Sequence, residues 1–182
     1  MNTVEGLKFL QYCNDLKQLP RRGWVLRGVE NPESVADHSW RVGMMSFLIV
    51  ATDVDKIRCM KMGLVHDLAE SIVGDITPVD NVAEEDKHDR EARGFLEIVS
   101  HLPKEVAEEI SGLWHEYEDQ KTLESHYVYD FDKLDMLIQA KDYEYQQNKD
   151  LEEFFFNCQT LKTDMGNEYL KTLISQRKVN NQ

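Results

Sequence analysis

Two imidazoles and a choice of carboxylates, far apart along the chain, are the residues best placed by type to do chemistry. They are His38 in ESVADHSW, the adjacent His66 and Asp67 in GLVHDLAE, and an aspartate in the run YDFDKLDML. Mixed imidazole and carboxylate donors suit a divalent ion of the hydrolytic kind. Separations of roughly 30 and roughly 65 residues mean that only packed helices can bring these donors to one ion. An adjacent pair on a helix points about 100° apart, so an ion shared by His66 and Asp67 must lie over the seam between them. The same dipeptide recurs as His88-Asp89 in EEDKHDRE, where charged neighbours, Lys87 among them, read as a solvated helix face. Around His66 and Asp67 the neighbours are Met62, Gly63, Leu64, Val65, Leu68 and Ala69, and a desolvated His-Asp pair needs the compensation that a metal supplies. On the residues alone the last donor stays open among Asp130, Asp132 and Asp135. The periodic Phe131, Leu134 and Ile138 put Asp135 nearer the buried stripe than Asp132.

The elements that must position these groups read as helices throughout. Apolar residues recur at three- and four-residue intervals rather than alternating. Val4, Leu7, Leu10, Cys13 and Leu16 outline a first helix that stops before Pro20, and the stretch 19–32, with two prolines and two glycines, reads as a loop. Ser34 is the expected N-cap of a second helix running through Ile49, and a third begins near Asp55 and ends around Gly74. Further helices are expected over 84–100, 103–117, 123–148 and 151–175, with a frayed polar tail over 176–182. The expectation is one all-α domain of about six to seven helices spanning residues 1–182.

A formal charge of −13, from 34 acidic and 21 basic residues, repels polymeric nucleic acid and anionic membranes but leaves room for a small phosphate ester held by a metal. Cys13, Cys59 and Cys158 lack any CxxC spacing and read as free thiols of a reducing compartment. No signal peptide is expected, and the most apolar stretch, 42–51, falls short of the ~20 residues a bilayer requires. A cytoplasmic protein, compatible with a nuclear fraction, is the reading. Trp40, Trp114, Met44, Met45, Phe47 and Leu48 are expected in the core or on a homodimer surface.

Taken together, ESVADHSWRV, VHDLAESIVGDITPV, EEDKHDREAR and LWHEYEDQKTLESHYVYDFDKLDMLIQA resemble the HD-domain phosphohydrolases, and within them the 5'-deoxynucleotidase branch. The likeness runs from about residue 19 to about residue 145. It implies an HD helical bundle that removes phosphate from deoxyribonucleoside 5'-monophosphates. It also implies a metal held by His38, His66, Asp67 and, by its place in DFDKLD, Asp132. Manganese or cobalt is the metal that the resemblance suggests, and the carboxylates also admit magnesium. By the same resemblance Glu70 is catalytic, Asp75 reads the deoxyribose, and Trp24 and Arg22 lie at the substrate. Glu70 also stands four residues after His66, on the same helix face. Gly23 separates Arg22 from Trp24 where one family pattern has Arg directly before Trp, so Arg27 is a second candidate for the phosphate, and Lys87 or His88 a lesser one against the solvated-face reading. The competing readings are an HD hydrolase of another nucleotide or phosphate ester, and a non-enzymatic scaffold that binds metal for stability.

Overall fold

The computed structural model describes residues 3–180, which contain helices and no strand ladder. The helices are α1 (Thr3–Gln18), α2 (Arg22–Leu26), α3 (Val35–Met45), α4 (Lys56–Val65), α5 (Glu70–Val73), α6 (Glu84–Val99), α7 (Lys104–Asp119), α8 (Leu123–Gln147), α9 (Glu152–Asn157) and α10 (Asp164–Asn180). Apart from the short α2, α5 and α9, seven long helices make up the bundle, in keeping with the expected number.

Local chemistry starts the helices that carry the site. Ser34 Oγ accepts from Asp37 N at 3.1 Å while the Asp37 carboxylate accepts from Ser34 N at 2.9 Å, a reciprocal cap that fixes the first turn of α3 four residues before His38. The Asp55 carboxylate accepts from the amides of Ile57 and Arg58 and starts α4. Thr122 caps α8, whose residues Val128, Phe131, Leu134, Leu137 and Ala140 form the centre of the main core. A second apolar cluster joins Leu16, Val35, Leu68, Phe95, Ile98 and Trp114, with Trp114 stacked on Phe95 at 4.6 Å.

The structure departs from the sequence expectation in five places. The helix expected to run through Ile49 ends at Met45, and a 3-10 turn over Ser46–Leu48 follows it. The stretch 19–32 contains α2, and its ends are tied by Arg21 N to Glu33 O and by Val35 N to Leu19 O, both at 2.9 Å. The third helix does not run unbroken to Gly74. After Val65 the chain tightens, with Leu68, Glu70, Ser71 and Ile72 each donating to the carbonyl three residues back, so His66 and Asp67 lie on a turn between α4 and α5. The last helix is interrupted because buried Asp130 captures the amides of Lys162 and Thr163, both at 2.8 Å, and holds the chain open before α10. The tail is helical through Asn180, anchored by Arg177, which forks onto Glu144 at 2.7 and 2.8 Å and stacks over Phe155. Residues 181–182 of the expected frayed tail lie outside the described residues. Of the two tryptophans expected in the core or on a dimer surface, Trp114 is buried and Trp40 is 61 % exposed.

Helices α3 and α4 approach closely because both carry glycine at the crossing. A methyl group on Gly63 would lie 2.9 Å from Gly43 N and 3.0 Å from Gly43 Cα, backbone atoms that cannot move aside. This approach brings His38 and His66 within reach of one ion. Gly63→Ala is therefore expected to lower stability by ~2 kcal/mol. Gly112→Ala, at an open position of α7, is expected to raise it by ~0.5–1 kcal/mol. Urea denaturation of the two variants reads both shifts.

Candidate metal and phosphate site

At the α3–α4 crossing the two imidazoles face one another, ring centroids 5.3 Å apart, and both are almost wholly buried. The outer nitrogen of each ring is already committed. His38 Nδ1–H donates to Asp135 Oδ2 at 2.6 Å, and His66 Nδ1–H donates to the Gly63 carbonyl at 2.9 Å. A carbonyl can only accept, so neutral His66 carries its lone pair on Nε2. The Nε2 atoms of both rings have no hydrogen-bond partner among the described residues. Burying such lone pairs unmet is costly, and a cation is the natural partner.

Two carboxylates complete the group. Asp67 Oδ2 lies 3.5 Å from His38 Nε2 and 3.3 Å from His66 Nε2, and Asp132 Oδ1 lies 3.3 Å from His38 Nε2. His38, His66 and Asp67 offer donor atoms that all lie within 4.8 Å of one another. The field at this point calls for positive charge. Burial and Arg21 push the His38 pKa down, yet Asp132, Asp135 and Asp67 outweigh them and lift it to about 9. Burial likewise opposes ionisation of Asp67, and His66, His38 and Arg21 overcome it. The donor set fits a borderline or hard divalent ion, with imidazole and carboxylate and no thiolate among the ligands.

The three aspartates of YDFDKLDML divide the work by helical phase. Asp130 points to the 161–163 turn, where Thr163 Oγ also donates to it at 2.6 Å. Asp132 faces the imidazoles, its Oδ2 held by the Tyr117 hydroxyl at 3.1 Å and by Lys133 Nζ at 3.0 Å. Fully buried Asp135 stands behind His38 and is itself gripped by Arg41, which also donates to Gln139. Such a carboxylate fixes the tautomer and ring angle of a ligating histidine.

The group opens into a cleft of about 600 Å³. An HD domain family profile matches residues 13–173. The chain belongs to the HD domain family. A zebrafish (Danio rerio) protein named 5'-deoxynucleotidase HDDC2 is 46% identical over 84% of this chain and 78% of its own length. The fission yeast (Schizosaccharomyces pombe) 5'-deoxynucleotidase hdd1 is 39% identical over 97% of this chain and 94% of its own. Among solved structures, the PH0347 protein of Pyrococcus horikoshii OT3 superposes with a TM-score of 0.74 at 33% identity, covering 94% of this chain and 97% of that one. HD domain phosphohydrolases are metal-dependent, and this HD domain holds a His/Asp group able to bind the ion.

Around the metal group of the HD domain, the structure sorts the remaining sequence candidates. Glu70 sits on α5 in the cleft wall, 7 % exposed, with Oε2 unpartnered. Burial, then Asp67 and Asp75, hold its carboxyl well above the usual carboxylate range. Asp75 follows Gly74, whose φ of +79° only glycine adopts freely, and its carboxylate accepts from Arg22 N at 2.7 Å at the cleft edge. Arg22 does not join the group. Its guanidinium grips Asp80 at 2.5 to 2.9 Å, because the start of α2 turns this side chain outward. Arg27 lines the cleft but is forked onto Glu153 at 2.7 and 3.0 Å. The arginine beside the ion-binding group is Arg21, 3.4 Å from Asp67 Oδ2, which the sequence reading passed over. Of the two arginines in PRRGW, the one preceding the first turn of α2 faces inward, a distinction visible only once α2 is known. Trp24 is 1 % exposed, donates from Nε1 to Glu33 at 3.0 Å and packs on Phe154 at 4.7 Å, so it staples the cleft wall rather than offering a free face. Lys87, read from sequence as part of a solvated face, lines the cleft beside Glu91, whereas His88 is exposed and bonds Glu118.

The division of labour among the aspartates is testable. Asp135→Asn is expected to weaken manganese binding about 10- to 100-fold, through loss of the charge that orients His38. Asp130→Asn is expected to lower stability while leaving metal affinity unchanged. Isothermal titration of the metal-free proteins with manganese, paired with thermal melts, separates the two effects.

Proposed function

We propose that the protein is a metal-dependent 5'-deoxynucleotidase that hydrolyses deoxyribonucleoside 5'-monophosphates to deoxynucleoside and phosphate. The observation that carries the reading is the pair of unpartnered Nε2 atoms of His38 and His66, facing Asp67 and Asp132 at the floor of a cleft that also holds Glu70 and Asp75. The names of the relatives point the same way. His38, His66, Asp67 and Asp132 are the ligands in this proposal, and manganese, cobalt or magnesium is the ion. A divalent ion there supplies the charge that activates water and offsets the negative charge of the phosphoryl oxygens.

The rest of the chemistry belongs to the chain. Arg21, its charge sustained by the surrounding carboxylates despite burial, binds a phosphate oxygen in the place first considered for Arg22. Glu70, whose carboxyl is shifted upward by burial and by Asp67 and Asp75, is placed to pass a proton to the leaving 5'-oxygen or, once ionised, to orient the attacking water. Asp75 accepts from the 3'-hydroxyl and crowds a 2'-hydroxyl, which disfavours ribonucleotides. Phe154 and Ile76 give the cleft an apolar wall suited to a base.

Manganese- or cobalt-loaded protein is expected to release phosphate from deoxynucleoside monophosphates faster than from their ribose counterparts. His66→Ala is expected to abolish turnover, and Asp75→Ala to shrink the sugar preference. Absence of phosphate release from every such substrate with the metal bound would sink the proposal. Equal turnover of both sugars would point to a broader phosphohydrolase.

The protein is also proposed to be a homodimer. Trp40, Met44, Phe47, Leu48 and Val50 are exposed along α3 and the turn that follows it, a run of apolar surface that water tolerates poorly. A second copy of the chain is the proposed cover. Light scattering is expected to give twice the chain mass of 21.3 kDa, and Trp40→Asp to return it to one.

A further inference from the structure

We propose that Lys133 is a second phosphate-binding residue, standing beside Asp132 as Arg21 stands beside Asp67. This rests on the reading that a phosphate ester binds over His38, His66, Asp67 and Asp132. Phosphate entering the cleft meets Asp67, Asp132, Glu70, Asp75 and Glu91. A divalent ion cancels the charge of only two carboxylates, so the cations that line the cleft decide how well phosphate is held there. Those that line the cleft are Arg21, Arg27, Lys87 and Lys133. Arg27 is forked onto Glu153, and Lys87 lies 3.6 Å from Glu91, a carboxylate outside the ion-binding group.

Lys133 differs because its carboxylate partner belongs to the metal group. Asp132 presents Oδ1 toward His38 Nε2, while its Oδ2 receives the Tyr117 hydroxyl and the Lys133 ammonium. The ammonium is thus held beside the ion-binding group, on the side away from the buried imidazoles, where its side chain is 35% exposed to the cleft. It carries three donors, of which one is used by Asp132, and no other protein acceptor takes the rest among the described residues. Tyr129, four residues earlier on α8, lies with its ring centroid 5.2 Å from the same nitrogen. That contact restrains the ammonium without using up a donor. Lys162 lies over the same ring at 4.3 Å and adds to the positive potential at this end of the cleft. A lysine held in place with free donors beside a metal binds phosphate as a point charge.

Inorganic phosphate titrated calorimetrically into the manganese-loaded protein tests the inference without reliance on turnover. Lys133→Met is expected to weaken phosphate binding about 10- to 100-fold, the worth of a charge-assisted hydrogen bond, with manganese affinity little changed. Lys133→Arg should restore most of the loss, and in turnover assays Lys133→Met should raise KM more than it lowers kcat. If Lys133→Met binds phosphate as the wild type does, the inference is overturned. It is equally overturned if manganese affinity falls by the same factor as phosphate affinity, because Lys133 then only positions Asp132. A manganese-loaded wild-type protein that binds no phosphate would overturn the inference together with the function on which it rests.

Discussion

Four donor groups buried at one point, two imidazole lone pairs and two carboxylates, form an arrangement that is unfavourable until a cation occupies its centre. Around that constraint the rest of the molecule is arranged. The outer nitrogen of His38 is spent on Asp135, which Arg41 holds in turn, and that of His66 is spent on the Gly63 carbonyl. Tyr117 and Lys133 hold the second oxygen of Asp132. Each tie lowers the freedom of a donor before any ion arrives, so less ordering remains to oppose binding.

The same electrostatics explain why an acidic protein can handle an anionic substrate. The charge of −13 is a property of the whole surface, whereas the cleft gathers Arg21, Lys87 and Lys133 against its carboxylates. Charges close to a partly desolvated site outweigh distant ones screened over about 8–10 Å of salt solution. Global charge therefore discourages polyanions without repelling a small phosphate ester that reaches the metal group.

Much of this was legible before any coordinates. Apolar spacing of three and four residues outlined six to seven long helices, Ser34 was readable as the cap of the helix that carries His38, and the apolar setting of His66-Asp67 marked it off from His88-Asp89. Less legible were features that depend on contacts between distant segments. The turn after Val65 and the break before α10 follow from tertiary hydrogen bonds, the latter to Asp130, some 30 residues away in sequence. Arg21 and Arg22 are neighbours of one type, and only the direction in which α2 starts gives one to the metal group and the other to Asp80. Lys87 looked solvated because its sequence neighbours are charged, yet α6 turns it toward the cleft.

Sequence by itself determined the donor types, the helical class and the family resemblance, because these depend on composition, periodicity and local motifs. Tertiary structure decided which of Asp130, Asp132 and Asp135 faces the two imidazoles, which arginine stands beside Asp67, and that Lys133 stands beside Asp132 with donors to spare. The physical reason is range. Helical phase and capping are set within a few residues, whereas the His/Asp group is a meeting of side chains from α3, the turn between α4 and α5, α7 and α8 whose orientation no single segment encodes.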